Sequence, residues 1–356
     1  MREDPSTETS GNEVCFRLAD PDARYRRVRL DADLGTTDSP RDLTRTDGVW
    51  ELCIPRPPLG RVEYRFEVTT TLLDPANPHT APGGFGDRSV LELPGYATPG
   101  WLAAEPIASR LADVSFTDTP VGDIDGTLWV PERLDPDEPA PLLIAHDGPD
   151  YAAMGHLTDF IGSRIDAGVL APLRVLLLGS PDRMSWYAAN DDYADALVLH
   201  VLDAARDQWP TTVMVAAGVS LGALAALHAQ WRHPGAFDGL FLQSGSFFTP
   251  GTDAQESWFA RFGDITSFVA EIAGATAEPG SVMLPVVTLT CGATEENVVN
   301  NRLMAAHLSR LGWDVRYAET DDLHNYVSWR DALEPHLTRL VTAAVGHKVA
   351  GGHDAT

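Results

Sequence analysis

From Val14 to Leu93, apolar and polar residues alternate in short runs: VCFRL, YRRVRL, VWELCI, VEYRFEV and SVLEL. Turn-formers such as Thr46-Asp47-Gly48 and Pro55-Arg56-Pro57-Pro58 separate them. A period of two over four to eight residues suits half-buried strands, and no helical run intervenes. The pattern predicts a small all-β sandwich over residues 13–95. A long turn-rich connection, from Asp74-Pro75-Ala76-Asn77-Pro78 to Gly83-Gly84-Phe85-Gly86, precedes its last strand. Residues 1–12 are polar and aperiodic, which predicts a disordered lead-in. The stretch PGYATPGWLAAEP reads as a linker, placed over 96–109.

After Arg110 the pattern changes. Val114-Ser115-Phe116 and Gly126-Thr127-Leu128-Trp129-Val130 read as an opening antiparallel pair. Near-continuous apolar runs follow: PLLIAH (141–146), LRVLLLG (173–179), TVMVAAG (212–218), LFLQSG (240–245) and PVVTLTCG (285–292). Uninterrupted apolar strands are buried on both faces, as in a parallel sheet. Helical periods lie between and after them, over 191–208, 221–231, 297–311 and 327–345. Strand and helix in alternation predict a doubly wound, mostly parallel α/β domain over 110–345, with a frayed tail over 346–356.

Gly218-Val219-Ser220-Leu221-Gly222 matches G-x-S-x-G and falls between the buried strand TVMVAAG and the helix LGALAALHAQW. In that context it is a nucleophile elbow: a tight turn exposes the serine Oγ, and the glycines remove side chains that would collide. Ser220 is therefore the expected nucleophile of an α/β-hydrolase. Outside this context the pentapeptide is weak, because tight glycine turns also pack helices on sheets.

A base should follow the last strands. Of the eleven histidines, His324 meets this requirement first, in the loop Asp321-Asp322-Leu323-His324-Asn325-Tyr326 after the strand WDVRYAET, with His336 in the last helix as the other candidate. The acid should follow the preceding strand, where Ala293-Thr294-Glu295-Glu296-Asn297 lies. Glu295 is the first choice to orient the imidazole; Glu296, Asp321 and Asp322 stay open, as does a dyad without an acid. Acids before a helix also serve as caps.

One oxyanion donor is expected from the backbone N–H of Leu221. The second should come from His146-Asp147-Gly148-Pro149-Asp150-Tyr151. Pro149 has no N–H, which leaves Gly148, Asp150 or Tyr151. Tyr151, Arg183, Trp186 and Tyr187, with Trp258, are candidates to line the substrate pocket. For each aromatic, core packing is the competing reading.

Composition narrows the partners. Fifty-one acidic against 26 basic side chains give a formal charge of −25, a field that repels nucleic acid and anionic membranes. MREDPSTETSGNE has no apolar signal core, and no apolar run is long enough for a membrane span. Cys15, Cys53 and Cys291 are odd in number and widely spaced, so reduced thiols are expected, although Cys15 and Cys53 would pair if strands brought them together. These features point to the cytoplasm. No His, Cys and Asp cluster has metal spacing, so neither metal nor cofactor is expected.

His146-Asp147-Gly148, Asp182-Arg183, the elbow at 218–222, Gly292-Ala293-Thr294-Glu295-Glu296-Asn297 and His324 with Trp329 together resemble the esterase-D-type, enterochelin (enterobactin) esterase-like hydrolases. The preceding sandwich is similar to the N-terminal domain of that family, so the resemblance spans nearly the whole chain. It implies a cytoplasmic serine esterase acting on a catecholate trilactone siderophore, with Ser220 as nucleophile and His324 as base, and it supports Glu295. Pro149 departs from the family's oxyanion loop. Met184-Ser185-Trp186-Tyr187 also lacks the family's arginine-rich contacts, leaving Arg164 or Arg183 to meet an anionic substrate.

The expected reaction is acyl transfer from a small-molecule ester through an acyl-enzyme. One rival is an acyltransferase of the same fold, with an alcohol or sugar replacing water. The other is a non-catalytic carbohydrate-binding protein using the Asp74–Gly86 segment with Trp50 and Trp101.

Overall fold

The computed structural model describes residues 7–10, 12–34, 41–84, 86–277 and 284–351. Within it the chain forms two compact units.

The first unit holds residues 1–98 together with two short segments, Gly292–Glu296 and Thr320–Ser328. Its strands are β1 (Thr7–Ser10), β2 (Glu13–Ala19), β3 (Arg29–Ala32), β4 (Thr44–Thr46), β5 (Val49–Pro55), β6 (Arg61–Glu67), β7 (Thr71–Leu72), β8 (Thr80–Ala81) and β9 (Arg88–Glu92). They make two sheets, ordered β1-β2-β5-β4 and β3-β6-β9-β8, with β7 beside β6. Alternation does what the sequence pattern requires: Trp50, Leu52 and Ile54 of β5 and Val62, Tyr64 and Phe66 of β6 all point into one core. Leu323, far along the chain, is buried in that same core.

Two expectations for this region are corrected. Part of the disordered lead-in is a strand, since Thr7–Ser10 pairs antiparallel with β2. It contains only polar residues and is held by backbone pairing, so it carries no hydrophobic period to read; residues 1–6 and 11 lie outside the described residues. Cys15 and Cys53 form a disulfide and are not reduced thiols, because the β2–β5 register places them directly opposite one another. Cys291 is free and buried. Among the described residues, one group of metal-ligating type, Cys15, Glu51 and Cys53, has both sulfurs tied up in that bond.

The second unit is built on an eight-stranded sheet: β10 (Ser109–Thr119), β11 (Gly122–Pro131), β12 (Ala140–Ala145), β13 (Arg174–Leu178), β14 (Thr211–Val219), β15 (Gly239–Gln243), β16 (Val286–Gly292) and β17 (Asp314–Thr320). Its order is β10-β11-β13-β12-β14-β15-β16-β17. β10 and β11 pair antiparallel, whereas β13, β12, β14, β15 and β16 run parallel. From Val213 to Val219, β14 is buried throughout.

The helices of this unit are α1 (Gly148–Gly155), α2 (Leu157–Asp166), α3 (Arg183–Trp186), α4 (Asp191–Asp195), α5 (Asp203–Gln208), α6 (Leu221–Arg232), α7 (Phe262–Gly274), α8 (Val298–Arg310), α9 (Tyr326–Asp331) and α10 (Leu333–Gly351, kinked at Glu334). A π-helical stretch, Ala196–Leu202, joins α4 to α5. The expected frayed tail is helical as far as Gly351, since its Ala, Val and Lys residues suit a helix despite Gly346; residues 352–356 lie outside the described residues. Among the described residues, no helix is long and apolar enough to cross a membrane.

Candidate active site

Ser220 stands between β14 and α6 with φ 56° and ψ −121°. A side chain at positive φ costs about 1–3 kcal/mol and persists only where its surroundings enforce it. Here they do. The Ser220 N–H donates to the Gln243 carbonyl at 2.8 Å, and its own carbonyl accepts the Ala223 and Ser246 N–H groups at 3.1 and 3.2 Å. A Cβ at Gly218 would strike the backbone of Gly222, and one at Gly222 would come within 3.0 Å of the His146 Cβ. Both glycines of the motif are therefore fixed by close approach.

The half-buried Ser220 Oγ lies 3.3 Å from the Ser246 Oγ. Ser246 is held indirectly. Asn301 of α8 accepts the Gly245 N–H at 3.0 Å and donates to the Gly245 carbonyl at 2.8 Å, a two-point clamp on the loop after β15. Asn297, Asn300 and Asp253 complete this buried polar cluster. The sequence reading missed it. Its signal is three asparagines at positions i, i+3 and i+4 on one face of a helix.

Leu221 opens α6, where first-turn N–H groups have no carbonyl within their own helix. The segment expected to be the second oxyanion loop is the start of α1, with Asp147 at φ 51° as its N-cap. Pro149 lies in the first turn, where a missing N–H removes no helical bond. The Tyr151 N–H is already given to the Asp147 carbonyl at 2.8 Å. The remaining candidate donors are the N–H groups of Gly148 and Asp150.

The expected pocket residues differ in burial. Tyr151 is fully buried, and its hydroxyl donates to Gln243, whose amide in turn donates to Thr290 and the Trp329 carbonyl. Tyr187 is fully buried and accepts the Asp147 N–H at 3.3 Å. Trp186 is buried and stacks on Tyr193. These three are core aromatics that brace the strand ends. Trp258, in contrast, is 74% exposed. Arg183 ties the α1 entry to the elbow: its Nε reaches both Asp147 oxygens at 2.8 and 2.9 Å, and its Nη2 approaches the Val219 carbonyl. Burial raises the Asp147 carboxyl above its usual range, and Arg183 opposes that rise. Arg164 is paired with Glu334.

His146 is fully buried beside Tyr187 and Tyr193. Burial holds its pKa down to about 4, so the ring is neutral, with Nδ1 donating to the Ala217 carbonyl at 3.3 Å.

In the first unit, the His324 Nδ1 is 2.8 Å from Glu295 Oε1. The Glu295 side chain is 1% exposed and that of His324 27%. The other Glu295 oxygen accepts the Gly292 N–H at 3.2 Å. Of the other acids considered, Asp322 turns to Arg61, while Glu296 and Asp321 are exposed. Gly292 is required for this arrangement, because a Cβ there would collide with the Asp322 carbonyl. A carboxylate accepting from imidazole Nδ1 fixes the tautomer and leaves Nε2 free of its proton, as a general base requires.

The Esterase family model matches residues 119–340, more than half of the chain. The iron(III) enterobactin esterase of Escherichia coli is 26% identical over 305 residues, covering 79% of this chain and 70% of that protein. Among solved structures, the ferric enterobactin esterase of Salmonella typhimurium superposes with a TM-score of 0.76 at 23% identity, over 95% of this chain and 96% of that one. The Shigella flexneri enterobactin esterase, in the presence of enterobactin, gives 0.75 at 21% identity over 95% of each chain. At these identities the structural likeness carries the fold, sandwich and hydrolase sheet together, while membership rests on the family match. The chain belongs to the Esterase family and is a carboxylic ester hydrolase.

Proposed function

We propose that the chain hydrolyses its ester through Ser220, His324 and Glu295. Ser220 Oγ attacks the carbonyl while His324 Nε2 takes its proton, and Glu295 orients the imidazole and stabilises its charged form. The backbone N–H of Leu221, with that of Gly148 or Asp150, receives the oxyanion, each such donor being worth about 3 kcal/mol in the transition state. Collapse releases the alcohol, with His324 returning the proton. A water deprotonated by His324 then frees the acid and restores Ser220.

The observation that carries this reading is the strained turn at Ser220, left-handed between two glycines that have no room for a Cβ. A glycine turn serving packing alone has no need of a serine there. The His324–Glu295 hydrogen bond supports the base and its orienting acid.

For the substrate we infer a siderophore-type ester, a catecholate trilactone or its linear fragments, with iron as cargo. The support is the likeness to proteins named for enterobactin over both units. A fluorophosphonate probe should label the wild type but not S220A, and equal labelling of the two removes the nucleophile. Turnover of p-nitrophenyl butyrate should then be compared with that of ferric and iron-free catecholate trilactones. A specificity constant for the trilactones no better than for the simple ester would defeat the siderophore assignment and leave the esterase intact.

A further inference from the structure

The loop that carries His324 is packed into the β-sandwich unit. Leu323, 4% exposed, is part of the sandwich core. The Gly60 N–H, just before β6, donates to the Asp321 carbonyl at 2.8 Å. The next residue, Arg61, is 2% exposed and reaches both sides of the histidine: its Nε is 2.7 Å from Asp322 Oδ2, and its Nη2 donates to Asn325 Oδ1. Its Nη1 pairs with Glu63 at 2.8 Å on the same strand. Asp322 and Asn325 are themselves joined at 3.1 Å, closing a ring of contacts around His324.

A buried cation needs a reason, since removing it from water costs several kcal/mol unless its partners are well placed. A planar guanidinium can hold a carboxylate and an amide at once at fixed angles, and an ammonium cannot. Three contacts favour the Asp322 carboxylate: Arg61, the Leu323 N–H at 2.8 Å and the Asn325 amide at 3.1 Å. Burial drives its carboxyl up to about 6, and Arg61 is the first of the influences opposing that rise.

We propose that Arg61 is a positioning residue for ester hydrolysis: it fixes the backbone on both sides of His324 and so sets where the imidazole stands. The sandwich thereby contributes to the chemistry through β6. This rests on the reading of His324 as the base.

The test uses the full chain and p-nitrophenyl butyrate, with melting temperature measured for every variant. R61K keeps the charge but loses the fork, and D322N keeps the shape but loses the ion pair. R65M serves as control: Arg65 lies on the same strand, paired with Asp31 at 2.9 Å. A misplacement of about 1 Å costs on the order of 100-fold. R61K should therefore lose about 10- to 100-fold in kcat with KM within threefold, D322N should move in the same direction, and R65M should keep its kcat. Unchanged kcat in folded R61K and D322N, or equal kcat losses in R61K and R65M, overturns the proposal. Should R61K fail to fold, D322N alone decides. H324Q separates the two claims: an active H324Q removes the base itself, whereas an inactive H324Q beside unaffected Arg61 and Asp322 variants removes only the positioning role.

Discussion

At the scale of single residues, the turn at Ser220 is backed by a histidine outside the proposed triad. His146 backs Gly222 and is held neutral by burial, its pKa down to about 4 from an ordinary 6.5. The unfolded chain takes up that proton as the pH falls through about 6.5, while the folded chain resists until about 4. The stability contributed by the neutral ring is therefore full above pH 6.5 and lost as pH falls toward 4. A shift of this size corresponds to about 3 kcal/mol. His228, also buried and lowered to about 4, adds in the same direction. H146Q should melt below the wild type at pH 7.5 but lose less of its melting temperature between pH 6.5 and 4.5. Parallel curves for the two proteins would show that His146 is not the titrating group.

At the scale of elements, each candidate side chain follows the end of its own strand: Asp147 after β12, Arg183 after β13, Ser220 after β14, Ser246 after β15, Glu295 after β16 and His324 after β17. The clamp from α8 onto the loop after β15 predicts that N301L leaves the buried Gly245 N–H without a partner, while the Gly245 carbonyl keeps the Phe247 N–H at 2.8 Å. That costs about 1–3 kcal/mol, and it loosens the loop that holds Ser246 against Ser220. Melting and kcat should both fall in N301L, while a variant of the solvent-exposed Arg310 at the far end of α8 should keep its kcat. A normal kcat in folded N301L would detach the clamp from the chemistry. In the sandwich β2, β3, β5, β6 and β9 were legible because burial imposes a period of two, and the central strands of the other sheet because burial on both faces imposes an unbroken apolar run. The elbow was legible because its glycines answer a steric demand, and Glu295 and His324 because they follow successive strands. What stayed hidden depended on contacts remote in sequence. Asp147-Gly148-Pro149-Asp150 has the composition of a turn, yet Pro149 fits a first helical turn equally well. Tyr151, Trp186 and Tyr187 could not be sorted between pocket and core by position alone, and nothing in the hydrophobic pattern marks Arg61 as facing Asp322.

At the scale of the whole molecule, the short segments Gly292–Glu296 and Thr320–Ser328, at the ends of β16 and β17, belong to the unit of the N-terminal strands, so an intact sandwich should be a condition for activity. The Cys15–Cys53 disulfide allows this to be tested, because it braces β2 against β5 at a separation of 38 residues, with Cys53 exposed to reductant. In the chain-entropy account, closing a loop of that length stabilises the folded state by up to about 4 kcal/mol, less if the reduced strands stay paired. C15S/C53S should therefore keep its kcat at 25 °C, since neither cysteine belongs to the proposed machinery, but it should melt at a lower temperature. If the His324 loop depends on the sandwich core through Leu323 and Arg61, loss of activity on heating should move down by the same number of degrees as the melting of the sandwich. Reduction of the wild type with dithiothreitol should reproduce the shift. The discriminating measurement is residual esterase activity alongside far-ultraviolet circular dichroism over one temperature series. Activity that outlasts melting of the sandwich strands would mean that the hydrolase sheet holds its base without help. Coincident loss in the variant, the reduced wild type and the oxidised wild type, each at its own temperature, would mean that the β-sandwich is part of the working esterase.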